Sequence, residues 1–99
     1  MPTKASTLAR LDQRTGLAKR IAAVTKQLSD HLKPRRRLTG PERDALARTA
    51  QLQVLAEVAS RRALIGEIPV QDAVRANTAA LRAERALRAA VVLEDSYYP

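Results

Sequence analysis

Ten cationic side chains stand in the first 37 residues, Lys4, Arg10, Arg14, Lys19, Arg20, Lys26, Lys33, Arg35, Arg36 and Arg37, against two acids, Asp12 and Asp30. Clustered Arg and Lys neutralise phosphates and release the counterions condensed on them, which gives an affinity that falls steeply with salt. That is the chemistry these residue types can do here. Arg10, Arg14, Lys19, Arg20, Lys26, Lys33, Arg35, Arg36 and Arg37 are therefore the candidate nucleic-acid contacts. No recognition helix or aromatic platform accompanies them, so base-specific readout is not expected. An acidic protein or an anionic membrane surface are the other partners that such charge would suit.

Catalysis fails on inventory. The chain has one His, no Cys and three Gly, and it lacks a Gly-rich phosphate loop or a Gly-x-Lys-Ser/Thr run. This leaves neither a nucleophile-base pair, a zinc site nor a nucleotide cradle. Carboxylates stand beside arginines at helical spacing, as Glu84 does with Arg85 and Arg88, which is the pattern of solvated ion pairs. His31 reads as a surface residue near a helix C-terminus, where partial positive charge is favoured. No catalytic residue, metal ligand or cofactor is expected.

The charge is unevenly placed. Residues 1 to 37 carry 10 cations and 2 acids, a sum of +8, whereas from Leu38 onward eight Arg balance eight acids. Three parts follow: a basic arm and helix over 1–37, a helical part over 38–92, and an acidic tail, 93–99, holding both tyrosines.

The elements that must position these groups are helical, and the fold class is all-α. Residues 1 to 7 lack periodicity and read as an arm. From Leu8 to Leu32 the apolar residues Leu17, Ile21, Val24, Leu28 and Leu32 recur at steps of four and three, with Gly16 a weak point or bend. Pro34 ends this helix. Thr39-Gly40-Pro41-Glu42 opens the next with the spacing of a capping box and a proline in the first turn. That helix runs from Pro41 to Ile65, Gly66 suits a left-handed cap, and Pro69 heads a last helix reaching Val92. Two helices of matched length joined by a tight turn predict an antiparallel hairpin.

Each long helix shows two apolar rows. In the last, Ala73, Ala76, Ala80, Ala83, Leu87 and Ala90 form a seam of small residues that lets a facing backbone approach. Val70, Val74, Leu81 and Val92 form a second row, interrupted by Asn77, Arg85 and Arg88. In the preceding helix, Leu52, Leu55, Ala56, Ala59 and Ala63 lie opposite Ala47, Ala50, Val54, Val58 and Ile65. A hairpin has one inner face, so the outer rows are expected to be covered by further copies of the chain. Ala47, Val54, Val58, Ile65, Val74 and Leu81 are the candidate oligomer interface. A chain of 99 residues without Phe or Trp has little core of its own, which adds to the need for association.

Leu93 to Pro99 leaves the periodic pattern. It reads either as a frayed tail or as a docking peptide, with Tyr97 and Tyr98 supplying contact area. No apolar run approaches the ~18 residues of a membrane span, a membrane is not among the expected partners, and cytoplasmic location is expected. An organellar presequence at the start is opposed by Asp12 and Asp30.

Leu46-Ala47-Arg48-Thr49-Ala50, Ala59-Ser60-Arg61-Arg62-Ala63-Leu64-Ile65-Gly66-Glu67, Val74-Arg75-Ala76-Asn77 and Leu81-Arg82 together resemble the Ala/Arg/Leu-rich hairpins of short phage terminase small subunits, with Gly-Glu at the bend. The resemblance covers about half the chain. It implies a homo-oligomeric ring of about eight or more subunits that binds double-stranded DNA and recruits the large terminase subunit, an ATPase and nuclease. By the same analogy Tyr97 and Tyr98 would meet that subunit. Many relatives carry an amino-terminal helix-turn-helix domain for which the 37 residues before Leu38 are too few, so DNA contact would fall to the basic helix and the arginine loop. The alternative is a helical homo-oligomeric structural or regulatory phage protein whose basic segment binds an acidic protein.

Overall fold

The computed structural model describes residues 4–34 and 36–97, with side chains over 15–34 and 36–92. Three helices make it up: α1 (Lys4–Leu32), α2 (Gly40–Leu64) and α3 (Val70–Tyr97), and among the described residues there is no strand. The chain is all-α.

α1 begins at Lys4, so residues 4 to 7 belong to the helix and not to an arm; residues 1–3 lie outside the described part. Ala5, Leu8, Ala9 and Arg10 are good helix formers with no breaker among them, which explains the extension. The helix also passes through Gly16 without interruption, with open space beside the glycine. It ends where expected. Lys33 takes a left-handed φ of 43° and Pro34 follows it.

α2 starts on the capping box that Thr39-x-x-Glu42 encodes. The Glu42 amide donates to the Thr39 hydroxyl at 3.3 Å, and the Thr39 amide donates to the Glu42 carboxylate at 2.8 Å. α2 closes on Gly66, whose φ of +80° is open to glycine and costly to other residues. There the Gly66 amide donates to the Ala63 carbonyl at 3.1 Å, and the Glu67 amide to the Arg62 carbonyl at 2.9 Å. Arg62 and Glu67 add an ion pair at 3.0 Å across the same bend.

α2 and α3 lie side by side and run in opposite directions. Asn77 donates to the Ser60 hydroxyl at 3.0 Å close to the bend, while at the far end Ala83, Leu87 and Ala90 stand beside Pro41, Ala45 and Arg48. The alanine seam faces α2 along most of its length: Ala73, Ala80 and Leu87 are buried, Ala76 and Ala83 half-buried, and Ala90 exposed. Thr49, 2% exposed inside this contact, returns its hydroxyl to the Ala45 carbonyl at 2.8 Å and so buries no unsatisfied donor.

α1 packs on α2, and this changes the expectation for the outer row. Val24 and Leu28 of α1 form one core with Leu46, Ala50 and Val54 of α2 and Leu87 and Val91 of α3, flanked by Ile21, Leu32 and Leu38. Val54, assigned by the helical wheel to an interface between copies, is 2% exposed within a single chain. Ala47 and Val58 beside it are half-buried. A second copy cannot reach Val54 while α1 is seated. The outer row of α2 is satisfied by the chain's own first helix, whereas Ile65, Val74 and Leu81 remain 71, 57 and 53% exposed. Leu17, expected in the apolar stripe of α1, is 41% exposed.

The tail also differs from expectation. Helix α3 continues through Leu93-Glu94-Asp95-Ser96 to Tyr97, since nothing in that stretch breaks a helix before Pro99. Tyr98 lies outside the described residues.

Candidate nucleic-acid interface

The candidate cations divide into those turned to solvent and those tied to the chain. Lys19 and Lys26 are exposed on α1, two turns or about 10.5 Å apart. Lys33 and Arg37 are exposed in the connection that follows. Arg10 and Arg14 lie in α1 with side chains outside the described part, and Arg35 is likewise outside it.

Arg20 does not stand with that group. Its Nε donates to Glu57 Oε2 at 3.1 Å and its Nη2 to Glu57 Oε1 at 2.7 Å, a two-pronged contact that ties α1 to α2. This hydrogen bonding holds the Glu57 carboxyl below the ordinary carboxylate range and raises the Arg20 guanidinium above its own ordinary value. Both side chains are nearly half exposed, so the pair guides helix placement more than it stabilises the fold.

Arg36 is removed from the surface more fully. Its Nη1 donates to Glu42 Oε1 at 2.7 Å and to the Arg37 carbonyl at 3.2 Å, and its Nη2 to Glu42 Oε2 at 3.0 Å. Glu42 is therefore shared between the loop arginine and the helix cap. The arginine hydrogen bonds first, and the Thr39 amide next, hold its carboxyl down at about 2. Arg36, named above as a phosphate contact, is thus a clamp on the start of α2. The carboxylate it grips already supplies the negative charge that the positive end of the helix favours.

One cation escapes a reading that draws its boundary at Leu38. Arg43 is exposed in α2 within one turn of the Thr39 cap, just past that boundary. Its proximity to Lys33 and Arg37 in sequence was visible; the near-zero charge sum after Leu38 concealed it.

Among the described residues, grooves run along α3, of which two are the larger. One, about 640 Å³, is lined by Pro41, Ala45, Arg48, Ala83, Ala86 and Ala90. The other, about 470 Å³ and close to the bend, is lined by Ala63, Leu64, Val70, Val74, Thr78 and Leu81. Asp44, Arg48 and Thr49 are the polar side chains of the first groove, and Ser60, Asn77 and Thr78 those of the second. Among the described residues no three His, Cys, Asp or Glu side chains are grouped to hold a metal ion, and no helix is long and apolar enough to cross a membrane. No family model, curated protein or solved structure matches the chain.

Proposed function

We propose that this chain is a non-enzymatic, homo-oligomeric adaptor that binds double-stranded DNA, of the kind that small terminase subunits represent in viral genome packaging. The observation that carries it is the division of labour in α1. One side of the helix, through Val24 and Leu28, completes the core, while Lys19 and Lys26 face outward and are followed by exposed Lys33 and Arg37. A scaffold thereby presents cations without using them in its own fold. Contacts to phosphate from lysines act as point charges, position the partner and carry no sequence information.

The homo-oligomer is supported by the exposed row Val70, Val74, Leu81 and Val92 on α3. A ring of about eight or more copies needs two different faces per subunit. With the outer row of α2 taken up by α1, the second face falls to the alanine-lined groove between Pro41 and Ala90. A large motor subunit would be recruited by the assembled form, with Tyr97, the last residue of α3, and Tyr98 as its contact.

Titration of a fluorescent duplex at several salt concentrations tests the DNA reading. Phosphate contacts from Lys19, Lys26, Lys33 and Arg37 predict a slope of log K against log salt of roughly −3 to −4 per subunit. An affinity indifferent to salt, or preference for an acidic protein over duplex DNA, would overturn it. Light scattering gives the subunit count, and a stable monomer would remove the homo-oligomer.

A further inference from the structure

Four carboxylates after Leu38 are each gripped by an arginine: Glu57 by Arg20, Glu42 by Arg36, Glu67 by Arg62 and Glu84 by Arg88. Arg20 and Arg36 come from before Leu38, so the even count of eight Arg and eight acids beyond that residue does not leave the hairpin balanced within itself. The surplus of positive charge collects on one side of α3.

Arg75, Arg82 and Arg85 are exposed, and among the described residues their guanidinium groups make no ion pair or hydrogen bond. At about 100° per residue, Arg75 and Arg82 lie about 160° around α3 from the buried Ala73 and Ala80, and Arg85 about 140° from Ala80, so all three look away from the core. No carboxylate stands three or four positions from Arg82 or Arg85; Thr78, Ala79, Leu81, Ala86, Ala89 and Arg88 fill those places, and Arg82 and Arg85 repel each other across one turn. Asp72 stands three positions before Arg75, and no ion pair joins the two. A face that only meets water gains from Glu set against Arg at this spacing, as Glu84 and Arg88 are elsewhere on the same helix. Like charges held together where the fold gains nothing from them point to a partner outside the fold.

The chemistry of the face selects that partner. Beside the arginines it holds Gln71, Thr78, Ala79, Ala86 and Ala89, all exposed. None of these is the large anchor that a protein contact needs or the apolar wedge that an interfacial helix sinks into a membrane. From Arg75 to Arg85 the axis advances about 15 Å, too far for one small anion to span. A duplex presents one phosphate charge per ~1.7 Å, or about nine over that length. The short alanine side chains let such a backbone come close, and guanidinium groups take phosphate oxygens two at a time.

We infer that the outward face of α3, through Arg75, Arg82 and Arg85, is a second phosphate-contact surface for duplex DNA. The inference rests on the function proposed above for the class of partner, and it shares no residue with the surface of Lys19, Lys26, Lys33 and Arg37, so each surface can fail alone. Lys19 and Lys26 look away from the core on α1 as the arginines do on α3, and the chain presents phosphate contacts in two directions. Around α3 the stripe lies between Val74 and Leu81 on one side and the groove residues Ala83 and Ala90 on the other, so contacts between copies through those two faces leave it open. Asp44 and Arg48 stand across that groove on α2 and add no net charge.

Duplex titrations over a range of salt, with full-length chains, separate the two surfaces. The combined change Lys19→Ala, Lys26→Ala, Lys33→Ala and Arg37→Ala should leave duplex binding that still weakens with salt. Adding Arg75→Ala, Arg82→Ala and Arg85→Ala should then lower the salt slope by roughly 3 and the affinity at low salt by roughly tenfold or more. On their own, the three α3 changes should keep the parent's melting temperature or raise it, because Ala is the better helix former and the repulsion is gone. A lowered melting temperature would make the arginines part of the fold and overturn the inference. An unchanged slope on adding the three would overturn the second surface and leave the α1 reading standing. Loss of all duplex binding on the α3 changes alone, with none lost on the four α1 and loop changes, would keep the second surface and overturn the α1 reading. If the chain carrying those four changes bound polyglutamate or anionic phospholipid vesicles more tightly than duplex at equal salt, the occupant would be an acidic protein or a membrane, and duplex DNA would be the wrong partner.

Discussion

Arg36 and Glu42 close on each other through two hydrogen bonds of 2.7 and 3.0 Å, and the same carboxylate receives the Thr39 amide at 2.8 Å. One side chain therefore fixes both the path of the loop leaving α1 and the first turn of α2. Because Val24 and Leu28 hold the last turns of α1 to the core just before the loop, this contact sets how the loop cations are presented.

Acid should loosen this joint. The folded chain holds Glu42 at about 2, whereas an unfolded glutamate titrates near 4.3, so the unfolded chain takes up protons first as pH falls. The stability from this group is complete above roughly pH 5 and is lost progressively between there and pH 2, amounting to about 3 kcal/mol at most. Glu57, also held low by its arginine, adds in the same direction. Glu42→Gln keeps an acceptor for the Thr39 amide but loses the charge, so it should lower stability at pH 7 and flatten the acid limb. Glu42→Ala removes the cap as well and should cost about 1 kcal/mol more. Urea denaturation from pH 7 to pH 3 measures both.

Arg36 and its neighbours should separate by assay. Arg36→Ala leaves the nearly buried Glu42 carboxylate without its main partner and should cost about 2 kcal/mol of stability. Arg37→Ala and Lys33→Ala should leave stability within about 0.5 kcal/mol, and each should reduce the salt slope of duplex binding by about one. If Arg36→Ala kept its melting temperature and lost DNA affinity as the other two do, the clamp would be the wrong description.

What could be read from the residues was local. Thr39-x-x-Glu42 announces its cap, Gly66 its bend, and Pro34 its stop, because each is a contact within a few residues of backbone. The helical wheel also showed that Val54 needs cover. It could not show that the cover is Val24 and Leu28, some thirty residues earlier, since periodicity identifies a buried face and not the element lying on it. The pairing of Arg36 with Glu42 is hidden from the sequence for a related reason. A run of three arginines looks like one cationic patch until the turn after Pro34 aims one of them back at Glu42. On α3, Val74 and Leu81, which the same wheel assigned to an interface between copies, are exposed in the single chain.

Val54 accordingly makes a sharp test of which helix covers α2. Val54→Ala should cost about 2 kcal/mol through lost burial and the cavity left among Val24, Leu28 and Leu87. Val54→Asp should unfold the chain, visible as loss of helical circular dichroism. Were it instead to yield a folded chain of smaller assembly size, Val54 would be a contact between copies and α1 would not be seated as described.

Two glycines should respond to alanine with opposite signs. Gly16 is exposed in the middle of α1, with nothing within 4 Å of an added methyl group, so Gly16→Ala should stabilise the chain by about 0.8–1 kcal/mol through helix propensity alone. Gly66 also has open space around it, yet its φ is +80°. There the penalty comes from the backbone, because an L side chain in the left-handed region collides with its own carbonyl, and Gly66→Ala should destabilise by about 1–2 kcal/mol. The bend that returns the chain from α2 to α3 depends on that conformation through the Gly66 and Glu67 amides. Thermal melts of the two variants, run at one protein concentration so that association does not shift them, should fall on either side of the parent. Equal shifts in one direction would mean that α1 is not helical at Gly16 or that the bend does not hold its left-handed turn.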